Sequence, residues 1–120
     1  MGAAPSQVEP MDTERRENPR FDAILHLEYG RDATVMEEAN SYDISLGGLF
    51  IVTHHPLDPG ERMLVHLYLP DALYPIVADC EVVWTRTQEV EGKPPGMGVK
   101  FTEIEEEDLQ RLELYFYACL

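Results

Sequence analysis

Residues 43–48, Asp-Ile-Ser-Leu-Gly-Gly, have the residue types of a turn that can bind a small ligand. Asp43 and Ser45 can bond to the nearby backbone, and Gly47 and Gly48 can adopt positive φ angles. Because polar and apolar residues alternate here, we expect the Asp43 and Ser45 side chains to project on one side. The turn would then present a carboxylate, a hydroxyl and bare backbone N–H groups, and such N–H groups suit an anion. We call residues 43–48 the platform.

A second stretch, residues 15–20 with the sequence RRENPR, concentrates positive charge upstream of the platform. Its three arginines, Arg15, Arg16 and Arg20, are a third of the nine Lys and Arg residues in the chain. Pro19 disfavours helix at the residue before it. We therefore predict a flexible segment that becomes ordered when it binds an anion, and we call residues 15–20 the arginine arm.

The charge of the whole chain restricts the partners. Formal net charge is −14, although the arginine arm itself contributes +2 from three Arg and one Glu. Such a surface repels nucleic-acid backbones and anionic membranes, so we expect no nucleic-acid polymer as a partner. Distant acids are screened over about 8 Å at physiological salt, which lets the local arginines attract a small anion.

Length, cysteines and hydropathy predict a single domain in the cytoplasm. A chain of 120 residues suits one hydrophobic core. Cys80 and Cys119 belong to no pairing motif, so we expect a reducing compartment. No basic segment precedes an apolar run, and no run approaches the roughly 18 apolar residues of a membrane span. We therefore expect neither a signal peptide nor a membrane span.

Six runs of alternating apolar and polar residues, separated by turn signals, predict an all-β protein. No helical pattern lies between these runs, which favours an antiparallel barrel or sandwich. In the fifth run, Cys80 and Trp84 belong to the same alternating set. Cys80 is predicted to be a core thiol, and Trp84 to pack in the barrel or to lie near a ligand rim. The predicted strands are 21–29, 33–42, 49–52, 63–69, 76–84 and 97–101.

The two ends of the chain differ from this strand pattern. Residues 1–14 are rich in Ala, Pro, Ser, Gln and acids and are predicted to be disordered. Thr102 and Glu105 fit a capping box, and acids crowd the turn that follows. Apolar residues at helical spacing then predict a C-terminal helix over 103–120 that covers one end of the barrel. The barrel itself is predicted to span 21–102.

Two motifs of the chain resemble the PilZ domain family. That family is marked by Arg-x-x-x-Arg, a strand pair, and then Asp/Asn-x-Ser-x-x-Gly. Here Arg16 and Arg20 match the first motif, and Asp43, Ser45 and Gly48 match the second. Order, spacing and the intervening strand pattern all match. The resemblance implies a six-stranded antiparallel PilZ-type β-barrel with a C-terminal α-helix.

The resemblance also implies a ligand, the bacterial second messenger cyclic di-GMP, and no other cofactor. Its phosphodiesters and guanines suit arginine, which binds phosphate bidentately, pairs with guanine O6 and N7, and stacks on bases. Asp43 can accept from the guanine N1–H and N2 amino groups, and Ser45 can donate to a phosphate or base edge. Gly47 and Gly48 would let the backbone come close. In this family, an additional Arg just before the motif, the position of Arg15 here, goes with binding of the ligand as an intercalated dimer.

Two functions follow from the resemblance. The first is a receptor that orders its arginine arm over cyclic di-GMP and signals through contacts with an unidentified protein partner. The alternative is an adaptor in motility or pilus assembly that binds no nucleotide. In the adaptor, the aromatic residues 115–117 could form the docking surface instead of packing on the barrel end. The family serves motility and exopolysaccharide regulation.

Catalysis and metal binding have little support in the sequence. Asp43 and Ser45 have no evident His partner, and the chain has no nucleophile elbow. His54 and His55 are adjacent, would point apart on a strand, and are followed by Pro56, which predicts a surface turn instead of a metal site. We therefore expect a binding protein and not an enzyme.

Overall fold

The computed structural model describes residues 19–70 and 72–119. The predicted disordered segment 1–14 and most of the arginine arm, including Arg15 and Arg16, lie outside the described residues. The described part contains seven strands and one helix. They are β1 Phe21–Asp22, β2 His26–Asp32, β3 Val35–Ile44, β4 Gly48–Val52, β5 Arg62–Leu67, β6 Ile76–Arg86, β7 Gly96–Ile104 and α1 Glu106–Cys119.

Strands β2 to β7 form a closed six-stranded antiparallel barrel, which confirms the predicted fold class. Neighbouring strands follow the order β3-β2-β5-β6-β7-β4, and pairing of β3 with β4 closes the ring. Closure removes the free edges through which sheets aggregate. The short β1 is an additional piece that pairs with the last two residues of β3.

Apolar side chains at alternate strand positions fill the barrel, as the sequence pattern predicts. Helix α1 adds Leu112 and Phe116 to this core. The Phe116 ring meets the ring of Phe21 edge-to-face, with 4.5 Å between centroids, so α1 is joined to β1. The inward-facing residues of β2, β5 and β6 are Leu27, Tyr29, Met63, Val65, Leu67, Ile76, Ala78, Cys80 and Val82.

The first predicted strand, 21–29, is interrupted between β1 and β2, opposite Ser41 of β3. The Ser41 hydroxyl accepts a hydrogen bond from the Leu25 N–H at 2.9 Å and donates one to the Ala23 carbonyl at 2.5 Å. A buried hydroxyl thus satisfies backbone groups that would otherwise lose their partners where the strand bends. On the N-terminal side of the bend, β1 pairs with the last two residues of β3, and these lead into the platform.

The C-terminal helix is present, but it begins later than the capping box predicts. Residues Thr102 to Ile104 are still part of β7, because Glu103 and Ile104 pair with β6. The first helical backbone bond runs from the Leu109 N–H to the Glu105 carbonyl at 2.9 Å. The prediction that Thr102 is the N-cap is therefore wrong. Among the described residues, α1 with its 14 residues is too short and too polar for a membrane-spanning helix.

Candidate ligand-binding site

The end of the arginine arm and the start of the platform lie together. The Arg20 Nη1 donates a hydrogen bond to Asp43 Oδ1 at 2.8 Å. Both side chains are shielded, with 19% and 25% of their surface exposed. A charge-assisted bond of this length is stronger than a fully exposed ion pair, so we expect it to contribute about 1 kcal/mol. The structure therefore brings together Arg20 and Asp43, one residue from each sequence motif.

Ser45 is buried inside the platform and does not share a solvent-facing side with Asp43. Its Oγ accepts hydrogen bonds from the N–H groups of Gly47 at 3.1 Å and Gly48 at 3.2 Å. The Ser45 N–H donates to the Gly48 carbonyl at 2.8 Å. The expectation of bare N–H groups is therefore wrong at both glycines, because these groups are already bonded within the turn.

Gly48 is required by a close approach of two strands, and its φ angle lies outside the left-handed region. A Cβ atom at Gly48 would lie 2.1 Å from the Val99 carbonyl oxygen and 2.9 Å from the Lys100 Cα. Both are backbone atoms of β7, so neither can move away without disrupting the pairing of β7 with β4. The platform glycine thus lets β4 lie against β7 and holds the turn in place.

An aromatic and cationic cluster lies on the outer face of the barrel, beside the platform. Phe50 of β4 pairs with Asp43 of β3, so the two side chains share this face. The Phe50 ring lies 5.2 Å from the Trp84 ring, measured between centroids. The Arg86 guanidinium lies 4.6 Å from the Phe50 centroid and 5.2 Å from that of Trp84, within cation–π range.

Trp84 reaches this outer face through an irregularity in β6. Val82 pairs with Val99, yet Trp84 pairs with Gly98, so Val83 is an extra residue on β6. Such a bulge re-aims the side chains that follow it. The prediction that Trp84 packs in the barrel is therefore wrong. Gly98 makes room for the ring, because a Cβ there would lie 2.2 Å from the indole Nε1.

Arg86 is a candidate site residue that the sequence pattern did not indicate. Its side chain is only 4% exposed, and its Nε donates to the Pro94 carbonyl at 2.6 Å. The signal available in the sequence was its position two residues after Trp84, which places both on one face of a strand. The cation–π contacts of Arg86 with Phe50 and Trp84 place a buried positive charge on the barrel face that Asp43 shares.

The described residues offer no alternative metal centre. Within 19–70 and 72–119, no group of three or more His, Cys, Asp or Glu residues is arranged to hold a metal ion. Both His54 and His55 are exposed in the connection between β4 and β5. The site that the structure assembles from the predicted residues is thus made of a cation, a carboxylate and a glycine turn.

A family model described as PilZ domain matches residues 14–118. This match covers most of the 120-residue chain, and the chain therefore belongs to the PilZ domain family. A search of curated protein sequences finds no significant match.

Solved structures with the same fold include three named PilZ proteins. The Bacillus subtilis inhibitor of motility, MotI/DgrA, is 26% identical with a TM-score of 0.70, over 84% of this chain and 48% of that one. The PilZ domain of Escherichia coli YcgR with c-di-GMP is 16% identical with a TM-score of 0.65, over 87% and 90%. The K. pneumonia MrkH–c-di-GMP complex is 19% identical with a TM-score of 0.64, over 88% and 51%. This chain thus spans about half the length of MotI and MrkH.

Proposed function

We propose that this chain is a receptor for cyclic di-GMP, which binds at the platform and the adjoining outer face of the barrel. The single observation that carries the proposal is the bond between Arg20 and Asp43, which joins the two PilZ motifs at one place. Membership of a family of binding domains supports a receptor over an enzyme. Complexes of YcgR and MrkH with c-di-GMP support the choice of ligand.

The chemistry of the described residues fits this ligand. Asp43 can accept hydrogen bonds from the N1–H and N2 amino groups of guanine, which adenine lacks. The Arg20 guanidinium has five N–H donors, so it can keep one on Asp43 and offer others to a phosphodiester. Trp84, which is half-buried, supplies a planar aromatic surface near the platform on which a guanine ring can stack, and the buried Arg86 supports that ring from the protein side.

The proposed mechanism is ordering of the arginine arm by the ligand. Arg16 and Arg20 clamp the phosphates against the platform, and Arg15 engages a second, intercalated ligand molecule. The ordered arm, the ligand and the barrel then form a composite surface that a partner protein reads. Ordering a segment on binding lowers affinity but makes the surface switchable.

Isothermal titration with cyclic di-GMP at physiological salt tests the proposal. Arg16→Ala and Arg20→Ala should each weaken binding by about 10- to 100-fold, since a charge-assisted hydrogen bond contributes roughly 1.5–3 kcal/mol. The matched control is Arg31→Ala. Arg31 bonds Glu61 at 2.7 Å and lies at the far end of the β2–β3 hairpin. That end is about 26 Å from Asp43, because eight residues of β3 intervene.

The controls make the titration decisive. Both variants lose one positive charge, so equal losses for Arg20→Ala and Arg31→Ala would indicate a general charge effect and contradict the site. Wild-type affinity in Arg20→Ala would contradict it as well. Two ligands per protomer are expected in the wild type, and a stoichiometry of one would contradict the role proposed for Arg15.

A second candidate function is supported by the likeness to MotI, an inhibitor of motility at 26% identity. In this alternative, the chain is an adaptor in motility or pilus assembly that binds no nucleotide. Absence of heat, together with an unchanged melting temperature at high cyclic di-GMP, would favour the adaptor. Saturable binding that Arg20→Ala weakens would favour the receptor.

A further inference from the structure

The side of α1 that faces away from the barrel carries large apolar residues. Leu112 and Phe116 point into the core, as expected for a helix that covers a barrel end. On other sides of the helix, Leu114 is 69% exposed and Tyr117 is 73% exposed. These two residues are three positions apart and so are neighbours on the helix surface. Packing on the barrel does not account for them.

A loop beside α1 adds two more exposed apolar side chains. Leu73 and Tyr74, between β5 and β6, are 89% and 72% exposed. The loop is fixed to the helix by Arg111, whose Nη2 donates to the Tyr74 carbonyl at 2.5 Å and whose Nη1 donates to the Pro75 carbonyl at 3.3 Å. Arg111 lies one turn before Leu114. We call Leu73, Tyr74, Leu114 and Tyr117 the helix–loop face.

The surroundings of the helix–loop face are acidic. Glu107 lies seven residues before Leu114, and Glu113 lies four residues before Tyr117, so each shares a side of the helix with an apolar residue. The charge of Arg111 is matched by Asp108 at 3.0 Å. The last described turn of α1 contains no basic residue, so the negative end of the helix dipole also stays uncompensated there.

We propose that the helix–loop face is a docking surface for a cationic amphipathic segment of a partner protein. Large apolar side chains are exposed on two adjacent elements, the helix and the loop that Arg111 fixes to it; such patches mark interaction sites, in which aromatic residues are enriched. The acids select the partner's sign of charge and speed the encounter. A second copy would bring two chains of net charge −14 together, and an anionic membrane would be repelled for the same reason. This proposal does not depend on cyclic di-GMP binding.

Amide chemical shifts of the isotope-labelled full chain, followed while synthetic peptides are added, test this surface. The probe is an amphipathic helical peptide of about 18 residues, or five turns, built from Leu, Lys and Arg. Two matched peptides replace either its Lys and Arg by Glu or its Leu by Ser. We expect shifts concentrated in residues 72–78 and 106–119, and only with the first peptide.

Substitutions at the surface sharpen the test. The double variant Leu114→Ser and Tyr117→Ser should weaken peptide binding at least tenfold with an otherwise unchanged spectrum, because both side chains are exposed. The control is Ile24→Ser, which removes an apolar side chain that is 79% exposed outside the helix–loop face, and it should bind as the wild type does.

Three outcomes would overturn the proposal. Equal binding of the Ser-substituted basic peptide would mean that charge alone acts. Shifts spread evenly over the acidic surface would mean that there is no defined face. Shifts at 106–119 that depend on protein concentration without peptide would mean that the face joins two copies of this chain.

Discussion

Replacing Ser45 by Ala should destabilise the barrel more than it weakens ligand binding, because the hydroxyl is used inside the platform. The substitution removes the acceptor of the Gly47 and Gly48 N–H groups. The Gly48 N–H is buried, and a buried donor without a partner costs about 1–3 kcal/mol. The Gly47 N–H is only partly buried and can turn to water. We therefore expect a loss of about 2 kcal/mol in the free energy of unfolding, which lowers the melting temperature of a domain of this size by about 8–10 °C.

Thermal unfolding followed by circular dichroism measures the first quantity, and calorimetric titration with cyclic di-GMP measures the second. The titration is done at a temperature where wild type and variant are both folded, and the affinities should agree within about threefold. Thr34→Ala is the control, since it also removes a turn hydroxyl, one that bonds Asp32 in an exposed turn. Its effect on the free energy of unfolding should stay within about 0.5 kcal/mol.

The opposite pattern would refute the reasoning. Suppose that Ser45→Ala melts at the wild-type temperature and binds cyclic di-GMP ten times more weakly. The hydroxyl would then contact the ligand, and the turn would hold together without it. Such a result would also mean that the platform rearranges when the ligand binds, because Ser45 is fully buried.

Two further predictions concern the outer face and the thiols. Gly98→Ala should displace the indole of Trp84, since the added methyl would lie 2.2 Å from Nε1. We expect the fluorescence emission of this single Trp to shift to the red and the free energy of unfolding to fall by about 1–3 kcal/mol. Unchanged emission would contradict the packing of Trp84 against Gly98. Cys119 should react with a thiol reagent at pH 8 much faster than Cys80, because burial raises the pKa of the Cys80 thiol and the Asp79 charge raises it further. Mass spectrometry before and after unfolding locates the label, and rapid labelling of native Cys80 would show that it is accessible.

The barrel could be predicted from the sequence because strand alternation is a local signal. Each buried strand has its own period of two, and the turns between strands carry Gly, Pro and Asp. The outward position of Trp84 could not be predicted in the same way. It depends on one extra residue, Val83, which becomes evident only from the pairing of β6 with β7. A period-two pattern read through a bulge assigns every later side chain to the wrong face.

The start of the helix was predicted wrongly for a related reason. The Thr102 to Glu105 spacing is a valid local capping signal, but Glu103 and Ile104 have partners on β6 that are more than 20 residues away along the chain. Pairing of these residues within the closed barrel is more stable than the local capping interaction. The helix therefore starts only after the ladder ends, where acids still fill its first turn.

At the candidate site too, the sequence indicated which residues matter but not where their side chains point. The residue types identified Arg20 and Asp43, and these two side chains are bonded to each other. Ser45 and Gly48 match the motif equally well, but the Ser45 hydroxyl bonds to the backbone of the turn, and Gly48 allows the close contact between β4 and β7. Whether a hydroxyl faces a ligand or its own backbone depends on a few ångströms of loop position, which residue identity does not encode.

Arg20 and Phe21 are consecutive residues with very different neighbours. Arg20 bonds the platform carboxylate, while the Phe21 ring packs edge-to-face on Phe116 of α1. One planar peptide unit joins their Cα atoms, so a ligand that moves the Arg20 backbone also acts on the contact between Phe21 and the helix. Thermodynamic reciprocity then applies: a partner that shifts α1 would change the ligand affinity by the same factor by which the ligand changes the partner's affinity.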